Sequence, residues 1–258
     1  MSKELSELLN LFKEKKYSIA EKKCLNLIKK IKPNYEIFNI YAVILFELKK
    51  YDDAIKQWKK AIELNPKYHF GYNNLGNAYL KKKDFKEALN CYHKAIHIKP
   101  DYYEAHHNKG NVFRKTNDFI NAIESFEKAL KIKSDYLPAL KNITELHVMQ
   151  KNFSEAIKML DRISIYDPSN VKTYIQKANI FFEKNFFKEG IKNYQTALDL
   201  NPEYPFLLGD FIHANAKICD WKDFDNQFKK LEKNILNKNE STNPFIASTL
   251  FDSPKLSY

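Results

Sequence analysis

The chain has 258 residues, 44% of them hydrophobic, and carries 43 Lys and Arg against 32 Asp and Glu, a formal net charge of +11. Five glycines and the lack of any alternating apolar run argue against a sheet, and no stretch is long and apolar enough to span a bilayer. The cysteines, Cys24, Cys91 and Cys219, are odd in number and widely spaced, which argues against a disulfide framework or a metal-ligand motif and points to free thiols.

The first residues, MSKELSELLNLFKEKK, read as a charged amphipathic segment without a secretory core or cleavage site, so a cytoplasmic protein is expected. From there an aromatic residue recurs every 34 positions: Tyr17, Tyr51, Phe85, Phe119, Phe153, Phe187 and Trp221. Three residues after each of the first six stands a small one: Ala20, Ala54, Ala88, Ala122, Ala156 and Gly190. A 34-residue period is the length of one helix–turn–helix unit.

The unit 69–102 shows the pattern best. Tyr72, Leu75, Gly76 and Tyr79 form one apolar stripe of a first helix, and Phe85, Ala88, Tyr92 and Ala95 form that of a second. Gly76 and Ala88 are small where the two helices cross, and Ala95 admits the first helix of the next unit. Pro100 cannot continue a helix and resets the chain. Its counterparts are Pro66, Pro168 and Pro202, with Ser134 once in its place and Pro33 one residue out of step.

These offsets resemble the tetratricopeptide repeat. The resemblance implies an all-α, right-handed superhelical solenoid, with a binding role rather than a pocket-based enzyme. Six units fit residues 1–204, at 1–34, 35–68, 69–102, 103–136, 137–170 and 171–204, the first degenerate with Cys24 and Leu27 at core positions. A seventh, capping pair follows over 205–236; it keeps Trp221 but has Phe224 where the others have alanine or glycine. Residues 237–258 are a polar, turn-rich junction or tail.

In such a fold the first helices line the inner groove. Asn74, Asn108 and Asn142 share the sixth place of their units, Gln176 continues the row, and Ile40 breaks it at its start. A carboxamide both donates and accepts, so it suits the backbone of an extended peptide. A second row, Asn77, Asn111 and Asn179, lies three residues on, interrupted by Glu145. Lys81, Arg114, Lys115, Lys141 and Lys172 complete the expected peptide site and favour acidic ligands.

The asparagine row resembles the ladder in the repeat arm of O-linked N-acetylglucosamine transferases, which holds substrate peptides by their backbone. The segment from Leu208 through Ile218, then Cys219, Asp220, Trp221 and Asp223, resembles the junction to the catalytic region in bacterial, SPINDLY-related members. Pro244-Phe245 and Asp252-Ser253-Pro254 fit the same pattern. That resemblance implies a substrate-recruiting arm without catalytic lobes, or one part of a split glycosyltransferase that acts with a catalytic partner.

Other roles fit less well. A co-chaperone carboxylate clamp would need cations or neutral donors where Glu104 and His107 stand. Nucleic-acid binding is disfavoured because only Arg114 and Arg162 are arginines, the usual bidentate phosphate and base ligands. The lysines Lys49, Lys50, Lys81, Lys82, Lys83, Lys115, Lys151 and Lys184 cluster at first-helix ends, where they suit the helix dipole. His93 and His97 have an i, i+4 spacing but no third ligand; His106 and His147 replace core-edge tyrosines. No phosphate loop or nucleophile elbow is present, so neither cofactor nor catalytic residue is expected.

Overall fold

The computed structural model describes residues 3–30, 34–219 and 224–236. These form fourteen α-helices and no strand among the described residues. The chain divides into two compact units, residues 1–139 and 140–258.

The first unit holds α1 (Lys3–Lys13), α2 (Tyr17–Lys30), α3 (Tyr35–Glu47), α4 (Tyr51–Leu64), α5 (His69–Lys81), α6 (Phe85–Ile98), α7 (Tyr103–Lys115) and α8 (Phe119–Ile132). The second holds most of α9 (Leu137–Met149), then α10 (Phe153–Tyr166), α11 (Val171–Glu183), α12 (Phe187–Leu200), α13 (Leu207–Lys217) and α14 (Phe224–Leu236). The helices α3, α5, α7, α9 and α11 start 34 residues apart, and so do α2, α4, α6, α8, α10 and α12.

The small residues do the work their spacing implies. Ala54, Ala88 and Ala122 are fully buried in the first unit, as is Ala156 in the second. A Cβ added at Gly76 would lie 2.7 Å from the Tyr92 ring, and one at Gly110 would lie 2.6 Å from Phe126. The first helices α5 and α7 therefore touch their own second helices through a glycine, and a methyl group there would force them apart. Ala95 packs with Tyr102 and Ala105, so the second helix of one repeat admits the first helix of the next.

The periodic aromatics gain a partner. Tyr17 packs on Phe12 with ring centroids 5.4 Å apart, Tyr51 on Phe46 at 5.4 Å, and in the second unit Phe187 on Phe182 at 5.6 Å. In each case the first residue of a second helix clamps the end of the helix before it.

One backbone solution recurs in the turn between the two helices of each pair. Lys15, Lys49, Lys83, Asn117, Lys151, Asn185 and Cys219 all have φ between 53° and 63°. The residue after each of the first six donates its N–H five residues back: Lys50 to the Leu45 carbonyl, Asp84 to Tyr79 and Asp118 to Phe113, for example. This is a Schellman closure, which usually uses glycine. Lys49, Lys83 and Lys151, read above as dipole cations, therefore also form the turn itself. The side chains of Asn34, Asp84 and Asp118 then accept from the third residue onward and start the next helices.

In the second unit, Leu207, Leu208, Phe211 and Ile212 of α13 and Leu231 of α14 form one core with Tyr194, Ala197 and Leu198 of α12. Phe224 is partly buried against this core and stacks on Phe228 at 5.5 Å. Pro33, Asp220, Trp221, Asp223, Pro244, Phe245, Asp252, Ser253 and Pro254 lie outside the described residues, as does the tail 237–258.

Candidate functional site

The first helices α3, α5 and α7 pack side by side in the first unit and carry the expected carboxamides. Asn74 and Asn108 are both half-buried. Asn74 donates from Nδ2 to Asn39 Oδ1 at 3.4 Å, and the same oxygen accepts the Trp58 indole N–H at 3.0 Å. Asn108 donates to Asn73 Oδ1 at 2.9 Å, and its side chain also hydrogen-bonds His107. The sixth-place row is thus stitched to the fifth-place residue of the preceding repeat. Each carboxamide has two N–H groups and two lone pairs, so Asn74 and Asn108 keep capacity for a ligand.

The ninth-place row is held within its own repeat. Asn77 Oδ1 accepts the Tyr92 hydroxyl at 2.7 Å, and Asn111 Nδ2 lies 3.4 Å from His107 Nδ1. In the second unit Asn179 accepts from Tyr194 at 2.5 Å. Asn142 there is half-buried and Gln176 exposed.

The expected cations gather at two places. In the first unit Lys81 and Lys115 join Lys83 around a cavity of about 420 Å³ with Leu80 and Phe85 in its wall. Arg114 is half-buried and close enough to His107 to disfavour its protonation. In the second unit Lys141, Lys172 and Gln176 line a cavity of about 450 Å³ together with Glu145, Asn170 and Thr173. A positive rim over a partly apolar wall suits an acidic side chain.

Residues that the sequence reading passed over are Asn39 and Asn73, which sit one place before the row and bond to it. The available signal was the same period at an adjacent place. His107 proves to be buried, and burial pulls its pKa down to about 4, with the Asn108 hydrogen bond opposing that fall. Its ring meets Tyr136 edge-on at 5.1 Å and lies 5.3 Å from Phe126. His106 donates from Nε2 to the Pro100 carbonyl at 3.0 Å, the place where the Tyr174 hydroxyl donates to the Pro168 carbonyl at 3.1 Å. His93 and His97 are exposed. Among the described residues no group of three or more His, Cys, Asp or Glu is placed to hold a metal, and no helix is long and apolar enough to cross a membrane.

Family models described as tetratricopeptide or TPR repeats match residues 43–83, 70–102, 113–177 and 171–204. No curated protein matches the sequence. Among solved structures, the chain is similar to the C-terminal part of a TPR repeat-containing protein from Cytophaga hutchinsonii, at 18% identity over 97% of each chain and a TM-score of 0.70. It is similar to PilF from Pseudomonas aeruginosa at 15% identity, over 77% of this chain and 90% of that one, with a TM-score of 0.64. It is also similar to YrrB, described as a TPR protein with an unusual peptide-binding site, at 18% identity over 70% of this chain and 93% of that one, with a TM-score of 0.55. At these identities the likeness is one of fold. None of these matches supports a link to a glycosyltransferase.

Proposed function

We propose that this chain, a tetratricopeptide-repeat protein, is a non-catalytic scaffold that holds extended protein segments along the face built by its first helices. The observation that carries the reading is the carboxamide row. Asn74 and Asn108 are half-buried, positioned by bonds from the preceding repeat, and still have donor and acceptor capacity. Positioned amides of that kind bind backbone without reading side chains. The lysine-rimmed cavities add a preference for acidic residues. YrrB, with the same fold, is described as having a peptide-binding site, which supports a peptide ligand here. The role is binding alone, and sugar transfer by a partner would be a separate event.

The test compares peptide-array capture by the wild type, by Asn74→Ala with Asn108→Ala, and by Leu160→Ala. Leu160→Ala truncates a buried side chain of the second helix α10 and keeps both amides and the bonds that position them, so it controls for stability. Capture at least tenfold weaker in the double variant than in the control, with helicity retained, is the expected result. Equal capture by all three proteins would overturn the reading.

A further inference from the structure

The sixth-place row does not end at Gln176. In α13 the same place is occupied by Asp210, 34 residues further on, so the register of carboxamides closes on a carboxylate. Asp210 opens into a cavity of about 210 Å³ lined by Phe182 from α11, Tyr194 from α12, and His213, Ala214 and Lys217 from its own helix.

A half-buried carboxylate is normally hydrogen-bonded or paired. Asp210 has neither among the described residues. The hydroxyl that shares its cavity, that of Tyr194, is committed to Asn179 at 2.5 Å. Desolvation raises the Asp210 carboxyl to about 6, as expected for a charge without a partner. The aromatic walls are fixed. Phe182 is wedged against Gly190, where a Cβ would lie 2.5 Å from the ring, and its centroid is 5.7 Å from that of Tyr194. An unpaired carboxylate walled by two aromatic rings is complementary to a cation, which the carboxylate pairs and the ring π-systems can attract. A single carboxylate is too few oxygens for a calcium or magnesium site.

We propose that this cavity binds a cationic side chain of a bound peptide, a lysine or arginine head paired with Asp210 beside the Phe182 and Tyr194 rings. The inference rests on the peptide-binding reading and adds a residue preference to it. The preferred ligand is then mixed in charge, acidic against the lysine-rimmed cavities and basic at α13. Lys217 is exposed, so solvent screens its repulsion of the incoming cation.

The experiment titrates the isotope-labelled full chain with n-butylammonium, n-butylguanidinium and butyrate, read by amide chemical shifts. Either cation should shift Phe182, Asp210 and Ala214 saturably, and the tighter of the two identifies lysine or arginine as the residue recognised. Asp210→Asn, which keeps the shape and removes the charge, should weaken that binding at least tenfold, while Lys217→Gln should tighten it about two- to threefold by removing a like charge. Shifts that do not saturate, that persist in Asp210→Asn, or that favour butyrate would overturn the proposal. These probes report on the cavity whether or not the asparagine row holds a peptide. Loss of cation binding with array capture intact would therefore sink this site and leave the scaffold reading standing.

Discussion

The hydroxyl of Tyr92 donates to Oδ1 of Asn77 at 2.7 Å, joining the second helix of a repeat to the first across the buried Gly76 contact. The same bond recurs three repeats later between Tyr194 and Asn179. An asparagine of the first helix is thereby tied to the second helix, which limits the orientation of its carboxamide.

Tyr92 is fully buried, so Tyr92→Phe should remove the bond without changing the packing. The expected cost is about 1 kcal/mol in urea unfolding. A double-mutant cycle with Asn77→Ala should give a coupling of similar size, roughly 1 kcal/mol. Additive single effects would show that the bond does not contribute.

Lys83 holds φ at 63° in its turn, where its Cβ is strained. Lys83→Gly should raise stability by roughly 0.5–1 kcal/mol, because relief of that strain exceeds the extra freedom of glycine in the unfolded chain. Asn117→Gly should give less, since asparagine tolerates this region better. Thermal melts of the two variants decide it, and a lower melting temperature for Lys83→Gly would refute the turn argument.

His107 is buried and its folded-state pKa lies near 4, below the ordinary value of 6.5. The unfolded chain therefore binds the proton more readily between these values. The stability that His107 contributes is complete above pH 6.5 and is lost as the pH falls towards 4. The groups around it are Arg114, Asn108 and Asn111 on α7, Phe126 on α8, and Tyr136. The loss should reach about 3 kcal/mol. In His107→Gln, urea midpoints at pH 7 and pH 4.5 should lie closer together than in the wild type.

Asp210 has the opposite sign. Its folded-state pKa is raised from 3.8 to about 6, so the native state binds the proton more tightly and stability falls as the pH rises through that window. Tyr194 on α12 and His213 and Lys217 on α13 share its cavity, and Phe182 faces it from α11. Asp210→Asn should stabilise the protein at pH 7.5 by about 1 kcal/mol, allowing for solvent screening of a partly exposed group. At pH 3.5 the two proteins should unfold alike; a variant less stable at pH 7.5 would mean that the carboxylate has a partner.

The sequence pattern locates the described second helices to the residue, because Tyr51, Phe85, Phe119, Phe153 and Phe187 each begin one. It reads Gly76 correctly because a close helix crossing leaves a small residue at a fixed offset. It misses the partners of those aromatics, Phe46 and Phe182, because the same place is filled by Leu80 and Arg114 elsewhere and shows no uniform type. The bond from Asn108 to Asn73 is also hidden, since it joins side chains 35 residues apart that no local pattern relates. Asp210 escapes notice because a row sought as carboxamides stops where the side chain becomes charged.

The recurring left-handed turn makes the length of this protein change in whole steps. Lysine, asparagine and cysteine all occupy the position, so the bend is set by the backbone closure, and the side chain alters its cost rather than its shape. Copying or excising a block such as 69–102 at its ends would leave the closure inside each remaining repeat as it is. A single residue gained or lost inside a helix enjoys no such neutrality, because it rotates everything beyond it by about 100°. Changes of repeat number should therefore be tolerated where point insertions are not, and the row of first helices would lengthen or shorten one repeat at a time.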